Sequence, residues 1–539
     1  MNTNTTSARA ALQGRTNSGL NPYSGPWGET QVIHLLKRCM FGAKRADIAY
    51  FMGLTMEDSI AELIAPTPTP APPLNSYATG TVTDPNVPLG ETWVNAPLDI
   101  LLNGLRNASF KNWWVSNQLN QERSIHEKMT LFWHNHFATE ISVYQVAQMA
   151  YRYYSLLREY ALGNFKTLTR AVSVDSAMLR YLNGFLNTKQ APDENYAREL
   201  QELFAIGKGP NALYTEADVQ EAAKVLTGYQ INLDTGLYYF NPNRHETSDK
   251  QFSAFYNNTI IQGQSGAAGE NELDDLLDMI FANNEVALFL CRKLYRFFVY
   301  YEIDAATEVN VIEPMAEIFR DNNYQVAPVL QALLTSEHFF DPLNMGCLIK
   351  SPVDQVVGLC REFEVVFPGA AQFVTQYKHW AILRTNAKNA TQDLGDPPNV
   401  AGWSAYYQEP AFHELWINTD TLPKRVAFSD IMMTSGFTRD GIKIVIDPVS
   451  YTAALDTPES PEQLIDQALR LHYRIDVSQE FRDFLMNILL SGQSDPSYWT
   501  EAWLNYTANP DNQTNYNAVF TRLQSFYKYI IDQPEHQLS

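Results

Sequence analysis

Cysteine is scarce. Only Cys39, Cys291, Cys347 and Cys360 occur in 539 residues. That is too few for a disulfide framework, and no pair shows C-x-x-C spacing. Three of them sit in apolar stretches, such as Gly358-Leu359-Cys360, which predicts buried free thiols. Positive charge is also short. Thirty-nine Lys and Arg face sixty Asp and Glu, a formal net charge of −21. A surface of that sign repels a phosphate backbone, so no broad nucleic-acid interface is expected.

Long apolar runs are missing too. No stretch reaches the roughly 18 residues that a transmembrane helix needs. The first 27 residues, MNTNTTSARAALQGRTNSGLNPYSGPW, lack the apolar centre of a secretory signal. They are expected to form a flexible polar arm, and the chain is expected to be cytoplasmic. Familiar catalytic motifs fail one by one. Thr130 stands where a zincin H-E-x-x-H needs its second His. Glu202 stands where a P-loop ending at Gly207-Lys208 needs Gly. Residues 263–269 (GQSGAAG) lack dinucleotide-binding spacing, and no G-x-S-x-G elbow exists.

What is present is a globular, aromatic-rich composition: 45% apolar, 12% aromatic and 18% charged. Helical periodicity dominates, with apolar positions such as Val32, Leu35, Leu36 and Cys39 recurring on one face. Residues 66–73 (PTPTPAPP) read as a stiff polyproline spacer opening a loop to 95. Tyr229–Leu233, the turn Asp234-Thr235-Gly236 and Leu237–Phe240 read as a β-hairpin, with a further strand over 255–262. The expected fold is mainly α: a large multi-helix domain over 28–430 with a small β-hairpin insertion near 229–262. A helical extension over 431–539 follows, with a loop or small strand pair near 436–458.

Four stretches carry candidate chemistry. The first is His126–Phe137 (HEKMTLFWHNHF). A continuous helix turns His134 and His136 about 160° apart. They can share a metal only if the helix stops near Trp133. Otherwise His136 is a hydrogen-bonded core residue and His134 a surface or interface one. The second is Asp193–Phe204, where Glu194, Arg198 and Glu202 form i,i+4 ion pairs. Glu199 borders the buried stripe, where a carboxylate needs a partner. The third, Thr215–Asp218, is a helix-starting capping box. The fourth is the polar loop 241–250 with His245, Glu246 and Asp249.

Together these blocks resemble the bacterial family named domain of unknown function 1800. The stretches that carry the resemblance are His34–Gly42, Glu127–Thr139, Glu194–Phe204, Tyr214–Gly228, Lys293–Val299, Lys350–Val353 and Pro397–Trp403. They run in the family's order over about 30–430. The family pattern looks for a His-Asp pair and a Lys after the hairpin. Here these are His245-Glu246 and Lys250, and Asn183 replaces a usual Asp. The resemblance implies no assigned activity. Relatives often neighbour genes for alkaline-phosphatase- and sulfatase-like proteins, which implies a protein partner, and many look exported, which is the alternative to a cytoplasmic location.

Three functional readings stay open. A metal-dependent, hydrolase-like enzyme would use His134, His136 and His245 as ligands to a divalent metal, with Glu127 and Glu199 as catalytic carboxylates. A non-catalytic scaffold would use the same groups as a buried hydrogen-bond network. A carbohydrate or polymer binder would stack sugars on Trp113, Trp114, Trp403, Tyr406 and Tyr407.

Overall fold

The computed structural model describes residues 15–80 and 82–539. Helices dominate, and three two-stranded antiparallel ladders interrupt them. The architecture is therefore mainly α with small hairpin insertions. No helix among the described residues is long and apolar enough to cross a membrane.

One helix sets the layout. His126–His136 buries all but two of its eleven residues, including Glu127, Lys128, Thr130, His134 and His136. A helix covered on every side lies at the centre of a large core. Helix Ala147–Glu159 packs along it, and helix Asn103–Leu119 packs on that one and on Phe373–Asn389. Trp133 stacks on Phe165 at 5.6 Å between ring centroids, and Phe132 meets Phe297 edge-on at 5.3 Å. Such aromatic contacts fill the volume around the helix.

The carboxyl-terminal end of this helix is clasped by a loop. The Trp403 N–H donates to Asn135 Oδ1 at 2.8 Å. Gly402 sits at φ +90°, and a Cβ there would lie 2.2 Å from Asn135 Oδ1. Only glycine combines that backbone conformation with so close an approach.

Local signals are realised in detail. Thr215 and Asp218 form the reciprocal capping box of Glu216–Val225. The hairpin pairs Tyr229 with Phe240 and Ile231 with Tyr238. A ladder Phe437–Arg439 with Ile442–Ile444 occupies the expected place. Cys39, Cys291 and Cys360 are buried and every cysteine is free. Burial pushes the Cys39 thiol up to about 12.

Three expectations need correction. The strand over 255–262 shrinks to Ile260–Ile261, paired with Lys250–Gln251, because residues 254–256 curl into a 3-10 turn capped by Ser253. The arm also differs. Residues 1–14 lie outside the described part, but 15–27 are tied down. The Arg15 N–H donates to Asp304 at 2.7 Å, the Tyr23 N–H donates to Thr335 O at 2.8 Å, and Pro22 bridges Ser336. Polar composition suggested looseness, yet its polar groups find fixed partners some 300 positions later. Finally, the helix does not stop near Trp133; it runs through His136, so the two imidazoles diverge.

The stretch 431–539 packs through Gln513–Asp532 onto Thr421–Met433 and Pro448–Ala453. Its last residues return to the main body, where Leu538 bridges Ile349 and the Lys350 N–H donates to Gln537 O at 2.7 Å.

Gly402→Ala is expected to lower unfolding free energy by more than about 1 kcal/mol, since both the positive φ and the Asn135 contact oppose a Cβ. Urea denaturation measures it. Wild-type stability in that variant would show that the clasp does not hold the helix end.

Candidate functional site

Glu127 lies one residue into the central helix and is almost fully buried. Both of its oxygens are engaged. Arg158 Nε donates to Oε1 at 2.8 Å, and the Tyr154 hydroxyl donates to Oε2 at 2.8 Å. Burial raises its pKa above the usual carboxylate value, although Arg158 and Tyr154 pull the other way. Tyr154 in turn accepts from Asn117 Nδ2 at 3.0 Å. Arg158 Nη2 donates to Thr67 Oγ1 at 2.9 Å. The network thus reaches the proline segment.

That segment is a strap. The Trp113 indole N–H donates to Ala71 O at 2.7 Å, a second tether. Between tethers and helices lie two cavities, about 310 and 450 Å³. Both are lined by Thr67, Thr69, Pro70, His126 and Arg158. Each is large enough for a small-molecule portion of a ligand. Asn117, Asn120, Gln121 and Glu122 line one, and Trp113, Tyr151, Tyr154 and Glu159 line the other. Gln121 is notable because both atoms of its amide are shielded from solvent with no protein partner among the described residues. Such a group is costly unless a ligand or water satisfies it. A further cavity beside Lys37 and Asp354, about 40 Å³, holds no more than a water.

His126 stands where the two cavities share a wall. Its Nδ1 lies 2.7 Å from Ser124 Oγ. Ser124 Oγ also accepts the His126 N–H at 3.2 Å, a helix-start contact. Burial, then the Arg158 charge, lowers the imidazole to about 4. It is a neutral donor and acceptor at physiological pH. Three carboxylates, Glu122, Glu127 and Glu159, outnumber the single guanidinium of Arg158 around the cleft.

The other sequence candidates do not join this site or each other. His134 packs between Trp114 and Trp403, with ring centroids 5.0 and 5.6 Å away. Its Nε2 is buried without a partner, and burial, then Lys111, lowers its pKa to about 3. His136 uses both nitrogens: Nε2–H donates to Phe204 O at 3.0 Å, and Nδ1 accepts from Lys293 at 3.1 Å. No lone pair is left for a metal. His245 Nδ1 lies 3.0 Å from Thr227 O, and its Nε2 lies 3.1 Å from Glu272 Oε1. Lys250 holds the other Glu272 oxygen at 2.5 Å. Glu199 is half-buried ahead of a π-helical turn, Leu200–Ala205. Burial and then the like charge of Glu202 raise its pKa, against Lys208 and Arg198. Of the aromatics, Trp113, Trp114 and Trp403 are core residues, and an edge of Trp113 lines the cleft.

The sequence pattern described as Protein of unknown function (DUF1800) matches residues 34–538. The chain belongs to that family. No curated protein and no solved structure matches it. The DUF1800 match extends to residue 538, so it covers the stretch after 430 as well as the first 430 residues. Two DUF1800 blocks, Glu127–Thr139 and Pro397–Trp403, meet at the Asn135 clasp. The carboxylate facing His245 is Glu272 and not the neighbouring Glu246. Glu246 instead caps its own loop through Ser248. Asn183 adopts φ +61°, a conformation Asn tolerates better than most residues. Arg158, Tyr154 and Gln121 escaped sequence reasoning.

Glu127→Ala is expected to cost on the order of 3 kcal/mol, because it strands Arg158 and Tyr154. Glu127→Gln should cost less, and chemical denaturation ranks the two. Acid stability reports on His126. Its folded pKa lies below the unfolded value, so its stabilisation is complete above about pH 6.5 and is lost as pH falls through about 4. His126→Gln should therefore flatten the loss across that window by up to about 2 kcal/mol, allowing for partial exposure. Parallel pH profiles for the two proteins would contradict this.

Proposed function

We propose that this chain is a binding protein whose strapped cleft takes an uncharged polar chain, with a neutral glycan as the ligand class. The observation that carries this reading is the Gln121 amide, shielded at the cleft wall with no partner among the described residues. A primary amide offers a donor and an acceptor side by side, which matches a sugar hydroxyl. Asn117 and Asn120 extend the polar wall of one cavity, and Tyr151 and Trp113 line the adjoining one. The surplus of carboxylates disfavours an acidic polysaccharide or a phosphate ester.

Binding is favoured over turnover by what surrounds Glu127. A general acid or base needs a free oxygen facing substrate, whereas both of its oxygens take hydrogen bonds from the protein. The separation of His134, His136 and His245 also leaves them no common centre for a metal-bound water. The buried hydrogen bonds of His136 and His245 favour a role in holding the helical core.

The test is a neutral-oligosaccharide array followed by titration calorimetry. Gln121→Ala and Tyr151→Ala are each expected to weaken binding at least about tenfold, equivalent to about 1.4 kcal/mol. An empty array, or hits whose affinity neither substitution changes, would remove the reading.

A further inference from the structure

Three distant segments meet in the core behind the carboxyl-terminal tail. Glu362 ends the helix Pro352–Glu362, His472 ends Pro461–His472, and His536 sits in the last 3-10 turn, Pro534–Gln537. One donor atom from each lies within 4.8 Å of the others. All three side chains are buried, at 3, 0 and 1% exposure. We infer that Glu362, His472 and His536 form a binding site for a divalent transition-metal ion of the zinc class.

The unpartnered atoms carry the inference. Glu362 Oε2, His472 Nδ1 and both ring nitrogens of His536 are buried with no hydrogen-bond partner among the described residues. Buried polar atoms in folded proteins almost always have partners. Here four of the atoms without them gather at one place and are the donors a metal accepts. His472 Nδ1 and Glu362 Oε2 stand 3.7 Å apart, too far for a good hydrogen bond.

The surroundings orient those donors. Tyr451 Oη lies 3.2 Å from His472 Nε2, a contact that leaves Nδ1 turned toward Glu362. Phe363 stacks on the His472 ring at 4.5 Å and 13°, which fixes its plane. Lys37 Nζ holds Glu362 Oε1 at 2.8 Å, so only Oε2 is free to ligate. Outer contacts of this kind commonly set the orientation of metal-binding His and carboxylate groups.

The donor set also selects the ion. Mg²⁺ and Ca²⁺ need several oxygen ligands and are disfavoured by a lone carboxylate already paired with Lys37. Two imidazoles and one carboxylate suit Zn²⁺ or Fe²⁺. The site lies outside the cavities of the cleft, so its role is structural. It ties the 352–362 helix to the 461–472 helix and to the tail.

The test uses the full chain and does not depend on the cleft. Metal-stripped protein titrated with Co²⁺ is expected to take up one ion per chain with a visible d–d absorption band. His536→Gln should weaken Co²⁺ binding at least about tenfold. His379→Gln, another buried imidazole, should leave it unchanged. Zn²⁺, but not Mg²⁺, should raise the Tm of the unmodified chain, which tests the site even if a variant fails to fold. Absence of the Co²⁺ band, absence of a Zn²⁺-specific Tm rise, or undiminished binding by His536→Gln would each overturn the assignment.

Discussion

A helix buried on every side must find a partner for each charge it carries, and the rest of this structure is arranged around that demand. The helix His126–His136 holds two charged side chains, three imidazoles and an amide among its large apolar residues. An unpaired charge in such a place costs several kcal/mol, so each one is answered from another part of the chain. Glu127 is answered by Arg158 and Tyr154, and Lys128 by Asp354. Asn135 takes the Trp403 N–H, and His136 is held between Phe204 O and Lys293. The polar groups thus decide which elements may surround the helix. The aromatic rings then fill the volume.

The cleft follows from the same pairing. Arg158 reaches Glu127 with one nitrogen and the strap with another, so the core charge and the cleft roof are one network. Proline lowers the entropy that the strap loses when tethered at Thr67 and Ala71. A stiff segment pinned at two points leaves a gap beneath it, where a flexible loop would collapse. The half of the network nearest solvent is available to a ligand; the half nearest the core is not. This division separates Gln121 and Tyr151, which line the cavities, from Glu127, whose oxygens are both engaged by the protein.

Much of the local structure was legible because its causes are local. The Thr215–Asp218 box, the Asp234–Gly236 turn and the buried cysteines each need only neighbouring residues or apolar context. The site was less legible. Glu127 stood out as an acid in an apolar stretch, but nothing near it indicated that both oxygens would be taken. His245 was recognisable as an unusual loop residue, but its partner Glu272 lies 27 positions on, at the start of an ordinary acidic helix. The π-helical turn after Glu199 left no periodic trace, since one extra residue per turn disturbs a pattern only briefly.

By itself, the sequence determined the mainly α class, the hairpin, the caps, the free thiols and the membership of a recognisable family. These depend on periodicity, turn chemistry and short motifs, which act over a few residues. Only the tertiary structure decided which polar groups meet. His134 and His136 are two residues apart yet face different neighbours, because a helix turns about 100° per residue. Glu362, His472 and His536 span 174 positions yet share one point, because the tail folds back onto the body. Proximity in sequence is a statement about the chain. Chemistry needs proximity in space, and for buried polar groups the packing of the whole core supplies it.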